Sequence, residues 1–444
     1  MKKYILLAAV VCMALPAAAL DPLGAYHTKP PEGCIDKNAA QEELELADLI
    51  QISLCTNPSL SAQYMGVKAS EAAVGASRSQ YLPSVTVTGT GNITGERMEK
   101  QDYIQNEPYQ AKAEAAWLLF DFGGRGARID ATKAYFKAAD YTYNAALQEL
   151  VLSVQTAYLN LLAAQESWTS AQASLATYKQ SYTEAQKRYK LGMVSLSDKL
   201  QAQTKYEQAS LTVVQTENLV KQYKGALAVL LNLSPDTEIK LAKPEHDKKF
   251  LQLENDDIKS LMQTALAERP EIKSSQSAAE AEKANLYTAK TNALPSVSAV
   301  ASVSYSDNWK HSSPYAADNA AGLRLSWPLF TGFSNTYNIQ QASYQYKQAQ
   351  RNTDALKLQV ENEVWQAYQN YKTAVRSYEI SQTILASAEE NHRVAFRYYE
   401  VGKGDILNLL SAVSQLAEAR QNKITAFYGV LRNKASLYRS IGKY

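Results

Sequence analysis

The sequence is poor in the residues that carry out covalent chemistry. Its 444 residues include three cysteines and four histidines. His27, His246, His311 and His392 are scattered, with no HExxH or comparable spacing to hold a metal. Carboxylates are plentiful, but they recur at helical intervals beside lysine and arginine, as they do on exposed faces of coiled coils. No nucleophile, base or metal set assembles, so the expectation is a protein that is not an enzyme and takes no cofactor. Net charge is also nearly absent: 46 basic against 44 acidic residues leave +2, too little to mark a nucleic-acid surface. Past the first twenty residues no apolar run approaches the roughly 20 residues of a membrane helix.

The first twenty residues are different. Lys2 and Lys3 precede an apolar run from Tyr4 to Leu15, and Ala17, Ala18 and Ala19 follow. This pattern predicts an export signal over 1–19. Cys34 and Cys55 remain beyond it. An even pair in an exported chain invites a disulfide; two separate buried thiols are the other reading, and both stand at this point.

What the sequence has in abundance is repetition. Arg188-Tyr189-Lys190-Leu191-Gly192 returns 210 positions later as Tyr398-Tyr399-Glu400-Val401-Gly402. Leu200 likewise falls on Leu410. A tandem duplication follows. The expected organisation is a lead-in with a short helix over 20–56, a first repeat over 57–233, a linker over 234–258 and a second repeat over 259–444. Glu245, His246 and Asp247 in the linker are read as solvated, because neighbouring residues do not share a face.

Each repeat changes period in the same order. Asn57-Pro58 and Arg269-Pro270 open short helices. Leu82-Pro83-Ser84 and Leu294-Pro295-Ser296 then begin alternating segments, and returning segments end at Trp117 and Trp327. Strands of about ten residues, apolar on one face and small or polar on the other, fit a transmembrane β-barrel. Two tryptophans at equivalent strand ends fit its aromatic belt. An ordinary soluble hairpin with a buried tryptophan is the competing reading. Because open sheet edges are not tolerated in lipid, four strands per chain would require several chains to share one barrel.

Long heptad seams follow the strands. One runs through Leu147, Val154, Leu161, Trp168, Leu175, Tyr182 and Tyr189, the other through Val364, Tyr371, Tyr378, Leu385, His392 and Tyr399. They predict coiled-coil helices about 100 Å long, each ending in a glycine turn and a shorter returning helix.

The order helix, strand pair, long helix, tight turn and returning helix, stated twice, resembles the TolC family of outer-membrane efflux proteins. The residues that carry the resemblance are Asn57-Pro58-Ser59-Leu60, the two Leu-Pro-Ser strand entries, Trp327-Pro328-Leu329-Phe330-Thr331-Gly332 and the paired turns. It implies a mainly α chain with membrane β: a homotrimer with a shared twelve-stranded β-barrel, four strands per chain, continued by a long periplasmic α-helical barrel. The implied partners are a periplasmic adaptor, an inner-membrane transporter and outer-membrane lipid. The implied function is the exit duct of tripartite efflux or type I secretion. A secreted coiled-coil structural or adhesion protein is the alternative.

The resemblance also implies sites. Arg188, Gly192, Gly402, Lys403 and Gly404 fall at tip turns that contact the adaptor. Asp198, Tyr399, Asp405, Asn408 and Ser411 fall at a periplasmic aperture. Tyr399 and Asp198 match a closing pair, so Tyr399→Phe is expected to raise resting conductance. Asn408 and Ser411 stand where well-known members carry an acidic pair, and Gly404 stands where they carry an arginine. Asp405 has two readings, an acidic ring of three copies or a helix cap.

Overall fold

The computed structural model describes residues 44–96, 104–242, 257–309 and 315–443. The expected export signal, Cys34, His27, His311 and the Glu245–Asp247 cluster lie outside the described residues. Two compact units form, and each draws on both sequence repeats.

The first unit comprises, among described residues, Met65–Asp140 and Ser274–Thr353. It holds strands β1 (Ser84–Gly91), β2 (Thr94–Glu96), β3 (Ile104–Asn106), β4 (Pro108–Phe120), β5 (Ser296–Asn308) and β6 (Ala316–Ser326). β2 and β3 form a small separate pair that the periodicity did not reveal. The other four make one antiparallel sheet in the order β1-β4-β5-β6.

The register sorts the sheet's side chains by chemistry. Val85 pairs with Ala115, Ala115 with Ala301, and Ala301 with Ala321. Alternation along each strand puts Val87, Ala113, Val303, Leu323 and Leu325 on that same face. The opposite face carries Thr86, Thr88, Ser302 and Ser304, together with Lys112, Glu114, Asp318 and Arg324. Val85 is 71% exposed and Leu323 73%. The apolar face is therefore uncovered, and β1 and β6 are both edge strands.

The sheet joins its long helices through left-handed turns. Phe122 and Gly123 have φ of 53° and 85°; Gly332 and Phe333 have 61° and 64°. A phenylalanine in this region costs about 1–2 kcal/mol. Its ring packs edge-on against the preceding phenylalanine in both copies, at 4.8 Å for Phe120–Phe122 and 5.7 Å for Phe330–Phe333. In the first copy Arg125 is buried and donates to the carbonyls of Leu118 and Leu119 at 2.5 and 3.0 Å, tying the strand end to the helix.

The helices of the two repeats match closely in length. They are α1 (Leu46–Thr56), α2 (Pro58–Arg78), α3 (Gly124–Lys190), α4 (Leu196–Leu230), α5 (Ile258–Glu268), α6 (Pro270–Thr291), α7 (Ser334–Glu400) and α8 (Ile406–Ser440). Helices α3 and α7 have 67 residues each, and α4 and α8 have 35 each. No helix among the described residues is long and apolar enough to cross a membrane.

The second unit comprises the described residues of Lys29–Tyr64, Tyr141–Lys273 and Asp354–Tyr444. Its interior is the heptad seams: Val154, Leu161, Val364, Tyr371 and Tyr399 are buried. Each fully buried aliphatic or aromatic seam side chain contributes about 1.5–3 kcal/mol. Three cores result. One joins α1, α3, α4 and Ile424 and Tyr428 of α8, a second joins α5, α6, α7 and the end of α8, and a third fills the space beneath the two glycine turns. The predicted linker is partly structured. Ile239 is buried in the first core, and Leu44 bridges to Leu241 in parallel.

The two helix junctions at Pro58 and Pro270 differ. Asn57 Oδ1 accepts from the amides of Ser59 and Leu60 at 3.0 and 3.2 Å, an ordinary N-cap. Its counterpart Arg269 is buried and pairs with Glu271 and Glu363 instead, while Arg439 reaches the same Glu271 at 2.5 Å. Burial works to raise the Glu271 carboxyl. The hydrogen bonds from Arg269, its own backbone and Arg439 outweigh that and hold it down at about 2.

Candidate functional site: the paired helical turns

Both turns are closed by the same backbone device. Gly192 and Gly402 have φ of 73° and 75°. The Met193 amide donates to the Arg188 carbonyl at 2.9 Å, and the Lys403 amide donates to the Tyr398 carbonyl at the same distance. These are Schellman endings, in which glycine avoids the Cβ clash of a left-handed residue. A polar cap then restarts the chain in each copy. Ser195 and Asp198 form a reciprocal capping box at the start of α4. Asp405 caps α8, accepting from the Asn408 amide at 2.7 Å and from the Asn408 side chain at 3.0 Å.

Gly404 has a steric role. A Cβ there would lie 3.1–3.2 Å from the backbone of Tyr398 and Tyr399. Its amide also donates to the Tyr398 carbonyl at 3.0 Å. The turn folds back on itself here and leaves little room for a side chain.

The two turns meet through Arg188. This residue is buried, so it stands apart from the exposed tip residues with which the sequence grouped it. Its guanidinium lies 4.4 Å from the centre of the Tyr399 ring and donates to the Glu400 carbonyl at 2.8 Å. Glu184, one turn back, holds the Nε at 3.3 Å. Sequence reasoning missed this contact because its partners lie more than 200 residues apart; the repeated Arg-Tyr was the available signal.

Tyr399 and Asp198 are not hydrogen-bonded. Asp198 is taken up by its capping box, and the buried Tyr399 hydroxyl has no hydrogen-bond partner among the described residues. Burial pushes its pKa up, partly offset by Arg188. Asp405, Asn408 and Ser411 are all exposed, along one side of the first two turns of α8. Around the turns, Leu191, Met193, Val401 and Lys403 are also exposed.

At the helix-side end of the sheet Trp117 and Trp327 are exposed, and Trp117 Nε1 donates to the Tyr81 carbonyl at 2.9 Å. The other end carries an aromatic row that the sequence reading did not single out. Tyr109 stacks on Trp309 at 5.2 Å, and Tyr305 stacks on Tyr315 at 5.8 Å. The Tyr109 and Tyr305 hydroxyls both donate to Asp307 at 3.1 Å. By register Tyr109 and Tyr305 lie on the apolar face. The apolar face is thus bounded by aromatic side chains at both ends. Cys55 is disulfide-bonded, and its partner lies outside the described residues.

Comparison with known proteins agrees with this architecture. The model of the family described as outer membrane efflux protein matches residues 49–233 and 261–443. Protein CyaE of Bordetella pertussis is 28% identical over 419 residues, covering 93% of this chain and 86% of that protein. The toluene efflux pump outer membrane protein TtgC of Pseudomonas putida is 25% identical over 454 residues, covering 96% and 90%. Among solved structures, the outer membrane protein VceC of Vibrio cholerae superposes with a TM-score of 0.75 at 19% identity, covering 89% of this chain and 96% of that one. A free-standing coiled-coil adhesin would not account for a match that takes in helices and strands of both repeats. The chain belongs to the outer membrane efflux protein family.

Proposed function

We propose that three copies of this chain form an outer-membrane exit duct. The observation that carries the reading is the four-stranded sheet with one apolar face, one polar face and two unpaired edges. In lipid, unpaired edge amides and carbonyls cost several kcal/mol each, so β1 of one copy pairs with β6 of the next. Three copies give twelve strands. The apolar face then meets lipid between its two aromatic ends, and the polar face lines the lumen.

The lumen's charges balance. Lys112 and Arg324 offset Glu114 and Asp318 on the polar face, and the rest is largely serine and threonine, with Gln110, Ala116, Val300, Ala320 and Gly322 between them. Such a lining passes cargo of either sign. The helices continue the tube into the periplasm, and the turns at Gly192 and Gly402 dock a periplasmic adaptor that links to an inner-membrane transporter. The transporter supplies the energy, and this chain supplies a conduit with no catalysis of its own. The exposed start of α8, with Asp405, Asn408 and Ser411, lines the resting aperture.

TtgC is named for toluene efflux and the relative AprF of Pseudomonas aeruginosa for alkaline protease secretion, so small-molecule and protein cargo both stand as readings of this duct. Deleting the gene separates the two. Sensitisation to hydrophobic small molecules supports efflux, and loss of an exported protein from the medium supports secretion. Outer-membrane fractionation with a heat-resistant trimer on gels supports the duct, whereas a soluble monomer refutes it.

A further inference from the structure

Between two of the apolar cores, helices α3, α4 and α8 part around a polar groove of about 280 Å³. Toward one end the three helices close on Leu161, Val220 and Tyr428, and toward the other on Ala185, Ala202 and Val413. Between them the same helices present Ser170 and Ser174, then Thr212 and Thr216, then Ser414. A coiled coil that serves only to hold its helices together fills such positions with leucine or valine. Serine and threonine are weaker helix formers, and a hollow forfeits packing contacts around it. These positions give up stability, as functional sites do and packing positions do not.

We infer that this groove binds a small polyhydroxylated anion, a sugar acid of about one ring, with Lys205 holding its charge. The inference depends on the helical fold alone and stands apart from the duct reading.

The hydrogen-bonding groups define that ligand. Lys205 is the one charged side chain lining the groove, and no aspartate or glutamate lines it. Among the described residues its ammonium has no ion-pair partner, and the side-chain amide of Gln208, one turn along the same face, is likewise unpaired. Both supply donors for a carboxylate at the end nearer the glycine turns. The hydroxyls further along do the reverse. Ser174, Thr212 and Thr216 donate to backbone carbonyls one turn back at 2.9, 3.0 and 2.9 Å. Their hydrogens are thereby engaged, which leaves their oxygens as acceptors for ligand hydroxyls. At the far end Gln421 donates to Ser167 at 3.0 Å and bridges α8 to α3. A donor end followed by a row of acceptors matches a carboxylate carried on a hydroxylated ring. The volume lies just below the range of drug-sized sites, which limits the ligand to about one ring.

Isothermal titration of the purified full-length protein in detergent with glucuronate tests this. Wild type is expected to bind it saturably, with a Kd of about 1 mM or below. Glucose, which lacks the charge, and acetate, which lacks the hydroxyls, should each bind about tenfold more weakly or worse. Lys205→Met should weaken glucuronate by about tenfold as well. Ala417→Leu, which enlarges a side chain on the α8 wall of the groove, should abolish glucuronate binding while the thermal midpoint holds or rises. No saturable glucuronate binding to wild type, or equal affinity in wild type and Lys205→Met, overturns the inference. Glucose or acetate binding as tightly as glucuronate overturns it too. Where Lys205→Met does not fold, unchanged binding by Ala417→Leu overturns it. None of these outcomes depends on channel formation, so failure here leaves the duct reading standing.

Discussion

Arg188, in the last turn of α3, lies over the ring of Tyr399, in the last turn of α7, at 4.4 Å. The relationship joins two copies of one repeated motif through unlike residues. The first copy contributes the arginine before its tyrosine, and the second contributes the tyrosine itself. Position 398, the counterpart of Arg188, is a tyrosine that is exposed. Duplication supplied both turns, and divergence made them complementary.

That geometry bears on stability. The Tyr399 hydroxyl is buried without a partner among the described residues, a state that costs about 1–3 kcal/mol. Tyr399→Phe is therefore expected to leave the protein as stable as wild type or to stabilise it by about 1 kcal/mol. Chemical denaturation in detergent checks this. A clear loss would mean that the hydroxyl is satisfied in the assembled protein.

Asp405 separates capping from charge. Asparagine caps a helix about as well as aspartate, so Asp405→Asn should leave thermal stability unchanged, while Asp405→Ala costs about 1 kcal/mol. If three Asp405 carboxylates ring the aperture, Asp405→Asn should still weaken cation preference and divalent block. Reversal potentials in asymmetric salt, with and without divalent cations, read this out; unchanged selectivity leaves Asp405 as a cap alone.

The ion network around Arg269 predicts acid lability. Glu271 has a folded pKa of about 2, below its ordinary value near 4.5. A depressed carboxyl contributes stability that is present above the unfolded pKa and is lost as pH falls through the folded one. Wild type should thus lose stability between about pH 5 and 2. Glu271→Gln should be destabilised by about 3 kcal/mol at neutral pH, because Arg269 and Arg439 lose a shared partner. Its stability should also vary less across the acid range. Thermal midpoints from pH 7 to 3 check both expectations; parallel curves for the two proteins would contradict them.

His392 is the one histidine on a heptad seam. Burial lowers its pKa, and Arg420 adds to the effect; Nε2 is buried without a hydrogen-bond partner among the described residues. The neutral ring is the form that packs, so its contribution is present above about pH 6.5 and is lost as pH falls through the lower folded value. His392→Leu should remove this dependence in mildly acidic buffer. Thermal midpoints at pH 7.5 and 5.5 test it, and an unchanged pH difference would contradict it.

Much of the architecture was legible because duplication states it twice. The alternation after Leu294-Pro295-Ser296 clarified the weaker strand after Leu82-Pro83-Ser84, and the heptads from Leu147 and Val364 gave the long helices. The site was less legible. Spacing shows which residues share a helix face, but not what lies across a contact 212 residues away, as Arg188 and Glu400 do. Resemblance set Tyr399 beside Asp198, yet Ser195 offers Asp198 a local cap three residues away, and the local bond formed. Asn57 and Arg269 occupy equivalent positions but hold their junctions by a cap and by an ion network. The aromatic row around Asp307 was missed because Tyr109 and Tyr305 come together only through strand register.

The central claim is that the sheet's two open edges are closed by neighbouring copies. Native mass spectrometry of the protein extracted from outer membranes tests it most directly. The account predicts a particle of three chains and no stable population of one or two; a monomeric particle, or any closed count other than three, would contradict it.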